Sequence, residues 1–167
     1  MKMKHKIYLS RDKRGLGQAS ARYWISEAVN AALKAEGITV PCEVSVLLTD
    51  DVGIQKLNLE FREVDASTDV LSFPANEFAP GSFDSENAER NPETERVVLG
   101  DMALSIEHAV AQGEEFGHGT KREIQYLTVH SVLHLLGYDH VDEGEMKKRM
   151  RTREKEIMAL IEGVKEE

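Results

Sequence analysis

The sequence predicts an α/β fold, an α+β sandwich in which a small mixed sheet of about four strands packs with about five helices in a single domain spanning 1–167. Three observations carry that expectation. Short apolar or alternating runs bounded by turn residues intervene between segments of helical period. Neither an internal repeat nor a second-domain linker interrupts them. The length, 167 residues, gives one domain room for a real core.

Lys6–Ser10 reads as the first strand. Ser20–Glu36 reads as a helix, with Ser20 as N-cap, a stripe of Trp24, Ile25, Ala28 and Ala32, and Gly37 as its stop. Val44–Leu48, bounded by Pro41 and Asp50, reads as a strand. Asp50 or Asp51 then caps a helix through Arg62, to which Ile54, Leu57, Leu59 and Phe61 supply apolar surface. Asp69–Phe73 is a third strand, ended by Pro74. The segment 75–96 has two prolines, few aliphatics and no period, which predicts a long, mobile, solvated acidic loop. Val97–Leu104 resumes as a strand, and Ser105 caps a helix to Glu115. Gly117 and Gly119 break the chain before a helix over Lys121–Leu136, and a last helix covers Asp142–Glu162.

Composition excludes some functions. No apolar run reaches the roughly 18 residues a membrane span needs, and the basic N-terminus lacks the apolar core of a signal peptide. The single cysteine, Cys42, excludes an internal disulfide and a thiolate cluster; its apolar surroundings make it a small buried hydrophobe, and the cytoplasm the expected compartment. The formal charge of −9 is unevenly spread. Residues 1–40 carry eight Lys/Arg against three acids, whereas residues 41–117 carry four against seventeen. A local cationic groove is compatible with that distribution, but non-specific affinity for nucleic acid should be weak.

The stretch HSVLHLLGYDH, residues 130–140, is the chemically informative one. His130 and His134 stand at i and i+4, so on a helix both imidazoles aim at one point. Gly137 permits a sharp reversal at the helix end, and that reversal can return His140 as a third ligand. Three imidazoles with an open fourth position suit one catalytic zinc ion. The bland alternative is a pair of polar residues on a helix edge. The metzincin proteases share this spacing, but they place a glutamate base directly after the first histidine. Ser131 stands there in this chain, which argues against such a peptidase and leaves the general base unidentified. Asp139 could act as base or as an acceptor behind a ligand, although turn formation explains it equally. Asp69 and Asp101 read as capping or orienting groups, and His5, His108 and His118 as ordinary solvent-facing or capping histidines. Lys147, Lys148, Arg149, Arg151 and Arg153 alternate with acids and read as a solvated helix face.

TDVLSFP at 68–74, LGDMALS at 99–105 and HSVLHLLGYDH at 130–140 resemble the YbeY family of bacterial rRNA maturation factors, with the likeness running from Val44 to Leu160. The resemblance implies the α/β sandwich, a zinc ion held by His130, His134 and His140, and a functional arginine at Arg62. It also implies a single-strand-specific endoribonuclease acting in small-subunit rRNA maturation and ribosome quality control. Its partners would then be rRNA in the small ribosomal subunit, with ribosomal or assembly-factor proteins. A peptidase or amidase on the same histidines, and a non-catalytic assembly factor with a structural zinc, are the competing readings. Two features depart from the family pattern. Ser131 replaces a usual glycine and should crowd the metal slightly, and the acidic segment 75–96 is longer than usual.

Overall fold

The computed structural model describes residues 4–139 and 144–163. In chain order these form β1 (Lys6–Arg11), α1 (Ala21–Ala35), β2 (Cys42–Thr49), α2 (Asp51–Arg62), β3 (Val70–Pro74), β4 (Val97–Ser105), α3 (Ile106–Glu115), α4 (Gly119–Leu135) and α5 (Glu145–Glu162). The sheet order is β1-β2-β4-β3; the first two pairings are parallel and β3 runs antiparallel to β4. This is the mixed α/β arrangement the sequence predicts. The predicted start of the last helix at Asp142 falls outside the described residues.

Strand alternation divides the core. Val44, Val46 and Leu48 of β2, with Leu99, Met102 and Leu104 of β4, face α1 and α4 in one large cluster. The opposite pleat, with Leu71 of β3 and Ala103 of β4, meets Ile54 of α2 in a small one. Ile25, Leu33, Leu133 and Leu135 are fully buried in the large cluster, each stabilising by about 1.5–3 kcal/mol. α4 is the central helix, packed on α1, α3, α5 and β3. α2 buries only Ile54 and Asn58; of the residues expected to supply its apolar surface, Leu57 packs against the small cluster, while Leu59 and Phe61 are exposed, Phe61 meeting the Phe73 ring at 5.4 Å.

Capping follows the sequence at two of three sites. Asp50 accepts from the Gly53 N–H at 2.8 Å, and Ser105 accepts from the His108 N–H at 3.2 Å. Ser20 precedes α1 with helical dihedrals and makes no side-chain cap; the Ala21 N–H bonds the Gln18 carbonyl instead. Cys42 is buried as expected, and burial pushes its thiol up to about 12.

The segment 75–96 is irregular, as expected, but it is not solvated along its length. Phe78, Phe83 and Ala88 pack against the large cluster. Asn76 donates to the Val98 carbonyl at 2.8 Å and accepts from the Glu89 N–H at 2.7 Å, tying both arms of the segment together beside β4. Side-chain amide bonds to backbone groups of this kind replace a ladder where no period exists to announce one.

Candidate metal centre and catalytic cleft

α4 ends in a Schellman arrangement. Tyr138 N–H bonds the Leu133 carbonyl and Gly137 N–H bonds the His134 carbonyl, both at 3.0 Å, with Gly137 at φ +102°. A Cβ at Gly137 would stand 2.1 Å from the Phe78 carbonyl oxygen, so the reversal and the close approach of the 75–96 segment both require glycine. The predicted reversal is therefore present. His140 lies outside the described residues.

On the last two turns of α4, His130 and His134 meet as their spacing predicts. Their Nε2 atoms are 3.2 Å apart, with the rings edge to face at 4.7 Å between centroids. His130 Nδ1 lies 3.2 Å from Oε2 of Glu154, a carboxylate only 5% exposed on α5. The carboxylate is placed to accept from an Nδ1–H, and Nε2 is the ring nitrogen turned toward His134. Tyr126 lies beside the same carboxylate: burial, and then the negative charge of Glu154, push its titration far upward. Glu154 is a site residue that sequence reading missed. The available signal was its position on the Met150, Ile157 and Met158 stripe, where a carboxylate needs a partner.

Arg62 comes from the other side of the sheet. At the end of α2 it reaches the edge strand β3, where Nη2 donates to the Ser72 carbonyl and the guanidinium lies 5.4 Å from the centre of the Phe73 ring. The turn behind it is fixed by Glu63 in the left-handed region and by Asn58, whose amide donates to the Ala66 carbonyl at 2.9 Å. Arg62, Ser72, His130 and His134 line one cleft of about 820 Å³, with Asp69 and Asp139 also at its wall. The buried Ser131 turns toward β3, 2.7 Å from Ser72 Oγ, and so joins α4 to the edge strand.

Other candidates fall outside this group. Asp69 accepts from the Val70 N–H at 2.7 Å, the capping role expected of it. Asp101 is exposed on β4 and does not line the cleft. His108 pairs with Asp51, His118 lies 2.6 Å from Glu123, and His5 accepts from the Cys42 N–H at 3.0 Å. Of the cations on α5, Arg153 is not a solvated residue: it binds Glu36 at 2.6 Å and the Ala35 carbonyl at 2.8 Å. Arg149 likewise reaches the Pro80 carbonyl at 3.2 Å.

A family model described as "Endoribonuclease YbeY" matches residues 6–162. The chain belongs to the YbeY family. A Clostridium acetobutylicum protein named endoribonuclease YbeY is 50% identical over 142 residues, covering 81% of this chain and 84% of that one. A Clostridium botulinum relative of the same name, from strain Alaska E43, is 40% identical over 153 residues, covering 83% and 86%. Among solved structures, the solution structure of TM1509 from Thermotoga maritima matches with a TM-score of 0.62 and 25% identity, over 95% of this chain and 90% of that one. The YbeY resemblance read from the three sequence motifs is thus established over nearly the whole chain. None of the helices in the described residues is long and apolar enough to cross a membrane.

Proposed function

We propose that this YbeY-family chain is a zinc-dependent endoribonuclease that hydrolyses phosphodiester bonds in single-stranded rRNA, in small-subunit rRNA maturation and ribosome quality control, in the cytoplasm. The observation that carries the reading is the convergence of the two Nε2 atoms in the cleft that also holds Arg62. Two nitrogens bound to one tetrahedral ion at about 2.0–2.1 Å stand about 3.3 Å apart, and the pair here is at 3.2 Å. The residues present therefore fit the ion, with His130 and His134 as ligands and His140, beyond the Gly137 turn, as the proposed third. A zinc ion held there supplies Lewis acidity toward a phosphoryl oxygen and toward water.

The protein's own groups supply orientation and charge. Glu154 holds the proton on His130 Nδ1 and fixes the ring plane. Ser72 and Phe73 hold one side of the Arg62 guanidinium and leave its other N–H donors to meet a phosphate. The same contacts oppose the peptidase reading. A peptide would pair with the edge strand beside the metal, but the Ser72 carbonyl is taken by Arg62, the Val70 N–H by Asp69, and Pro74 has no N–H. The backbone edge is blunted, while the cation beside it suits an anionic strand.

The test is metal analysis of wild type and His134→Ala, with cleavage assays on single-stranded rRNA fragments and casein in parallel. Zinc at one per chain, RNA cleavage lost in the variant and no casein digestion are expected. A zinc-loaded wild type inert toward RNA would sink the enzymatic reading and favour the assembly-factor one.

A further inference from the structure

A second groove, of about 550 Å³, runs between α4 and α5 beside the histidine pair. It begins at Tyr126 and Glu154. The Tyr126 ring is 6.2 Å from that of His130, and Glu154 is the carboxylate behind that histidine. It ends at the α3–α4 turn, where Phe116 is 60% exposed. Tyr126, Met158 and Ala159 make its apolar surface.

Its acids are already engaged. Glu123 is buried against His118 and Gln112, Glu154 faces His130, and Glu162 binds Arg122 at 2.6 Å. Arg151 and Lys155 on the α5 side are exposed and hold no ion pair or hydrogen bond with the described residues. The groove therefore offers an apolar and aromatic surface with two uncommitted cations at its wall, and it adjoins the proposed catalytic cleft through His130. A flat apolar ring carrying an anion matches both properties, and aromatic stacking with cations along a backbone is how single strands are held.

We propose that this groove is a subsite for a nucleotide of the same RNA strand, flanking the one in the cleft. Its base stacks on Phe116, and its phosphate meets Arg151 and Lys155. The assignment rests on the endoribonuclease reading and adds a reason for single-strand preference, since a base paired in a duplex cannot leave its stack to reach Phe116.

Two measurements test it on the full chain. Adenosine monophosphate titrated into isotope-labelled protein should shift the amide signals of Phe116, Lys155 and Ala159; an unshifted groove overturns the proposal. In cleavage assays, Phe116→Ala and the double variant Arg151→Ala/Lys155→Ala should each raise KM for a single-stranded dodecamer about tenfold. The dodecamer's advantage over a dinucleotide should shrink to match. A dodecamer KM that does not move, or an equal loss on both substrates, overturns the subsite. A wild type that cleaves no RNA while the groove amides still respond to the nucleotide would sink the enzymatic reading and leave the groove standing.

Discussion

The two edges of the sheet are built from similar lengths of strand and are protected by different means. β1 is held by β2 alone, and its outward positions carry Lys6, the 41% exposed Tyr8 and Ser10, an ordinary charged and polar edge. β3 is covered instead by groups that also build the site: Arg62 on the Ser72 carbonyl, Asp69 on the Val70 N–H, and Ser131 on the Ser72 hydroxyl. Satisfying the β3 edge thus places an arginine from one face of the sheet beside two histidines from the other. Changes near β3 should affect chemistry before stability, and changes near β1 the reverse.

The strongest way to break that contrast is His134→Ala. It removes one of the two converging nitrogens from a half-buried position, so metal content should collapse and RNA cleavage fall by at least about a thousandfold. Retained zinc and retained cleavage would show that the pair is only a polar helix edge. Arg62→Ala comes next. Because Arg62 is exposed, the variant should keep its melting temperature and its zinc while kcat falls about 100–1000-fold. Near-wild-type kcat would leave the β3 edge without its proposed catalytic cation.

Glu154→Gln sharpens the same contrast from behind the histidine pair. The amide keeps the shape but can turn a donor toward His130, and zinc affinity should drop by about 10–100-fold in a chelator competition. An unchanged affinity would reduce Glu154 to a buried acid satisfied by chance. Gly137→Ala acts on stability instead. The left-handed backbone and the approach to Phe78 should together cost at least about 1–3 kcal/mol. Each kcal/mol corresponds to a Tm loss of roughly 2–4 °C for a domain of this size. A Tm equal to wild type would mean that the 75–96 segment can move away from the α4 terminus freely.

What the sequence revealed of this site follows the range of each interaction. His130 and His134 were legible because helical period is local, and Gly137 because a helix stop has a short signature. The Asp50 and Ser105 caps were legible for the same reason. Glu154 was hidden in the alternating charges of α5, since its partner lies 24 residues away and only the tertiary packing reveals it. The Ser72–Ser131 bond, spanning 59 residues, left no local mark, so Ser131 could be read only as a departure from a family pattern. The segment 75–96 misled in its packing, because its order comes from side-chain amides on backbone groups, which have no period. Leu59 and Phe61 supply the expected apolar surface and stay exposed, because the stripe of α2 that meets the sheet runs along Ile54 and Leu57, with Phe61 reaching the Phe73 ring at its end.

The smallest expected effect lies at the far edge. Before β1, the His5 imidazole accepts the Cys42 N–H through Nδ1, which a protonated ring cannot do. Burial first, and the Arg96 charge second, hold its pKa below the usual histidine value. The folded chain therefore binds fewer protons at His5 than the unfolded one. The stabilisation is complete above the unfolded value of about 6.5 and is lost as pH falls through the lowered folded value. The difference in urea midpoint between wild type and His5→Ala should shrink from pH 7.5 toward pH 5, while their RNA cleavage rates stay equal at every pH. A midpoint difference that ignores pH would remove His5 from the account. A cleavage rate that changed with it would show that the two edges are coupled, and the division of labour between β1 and β3 would fail.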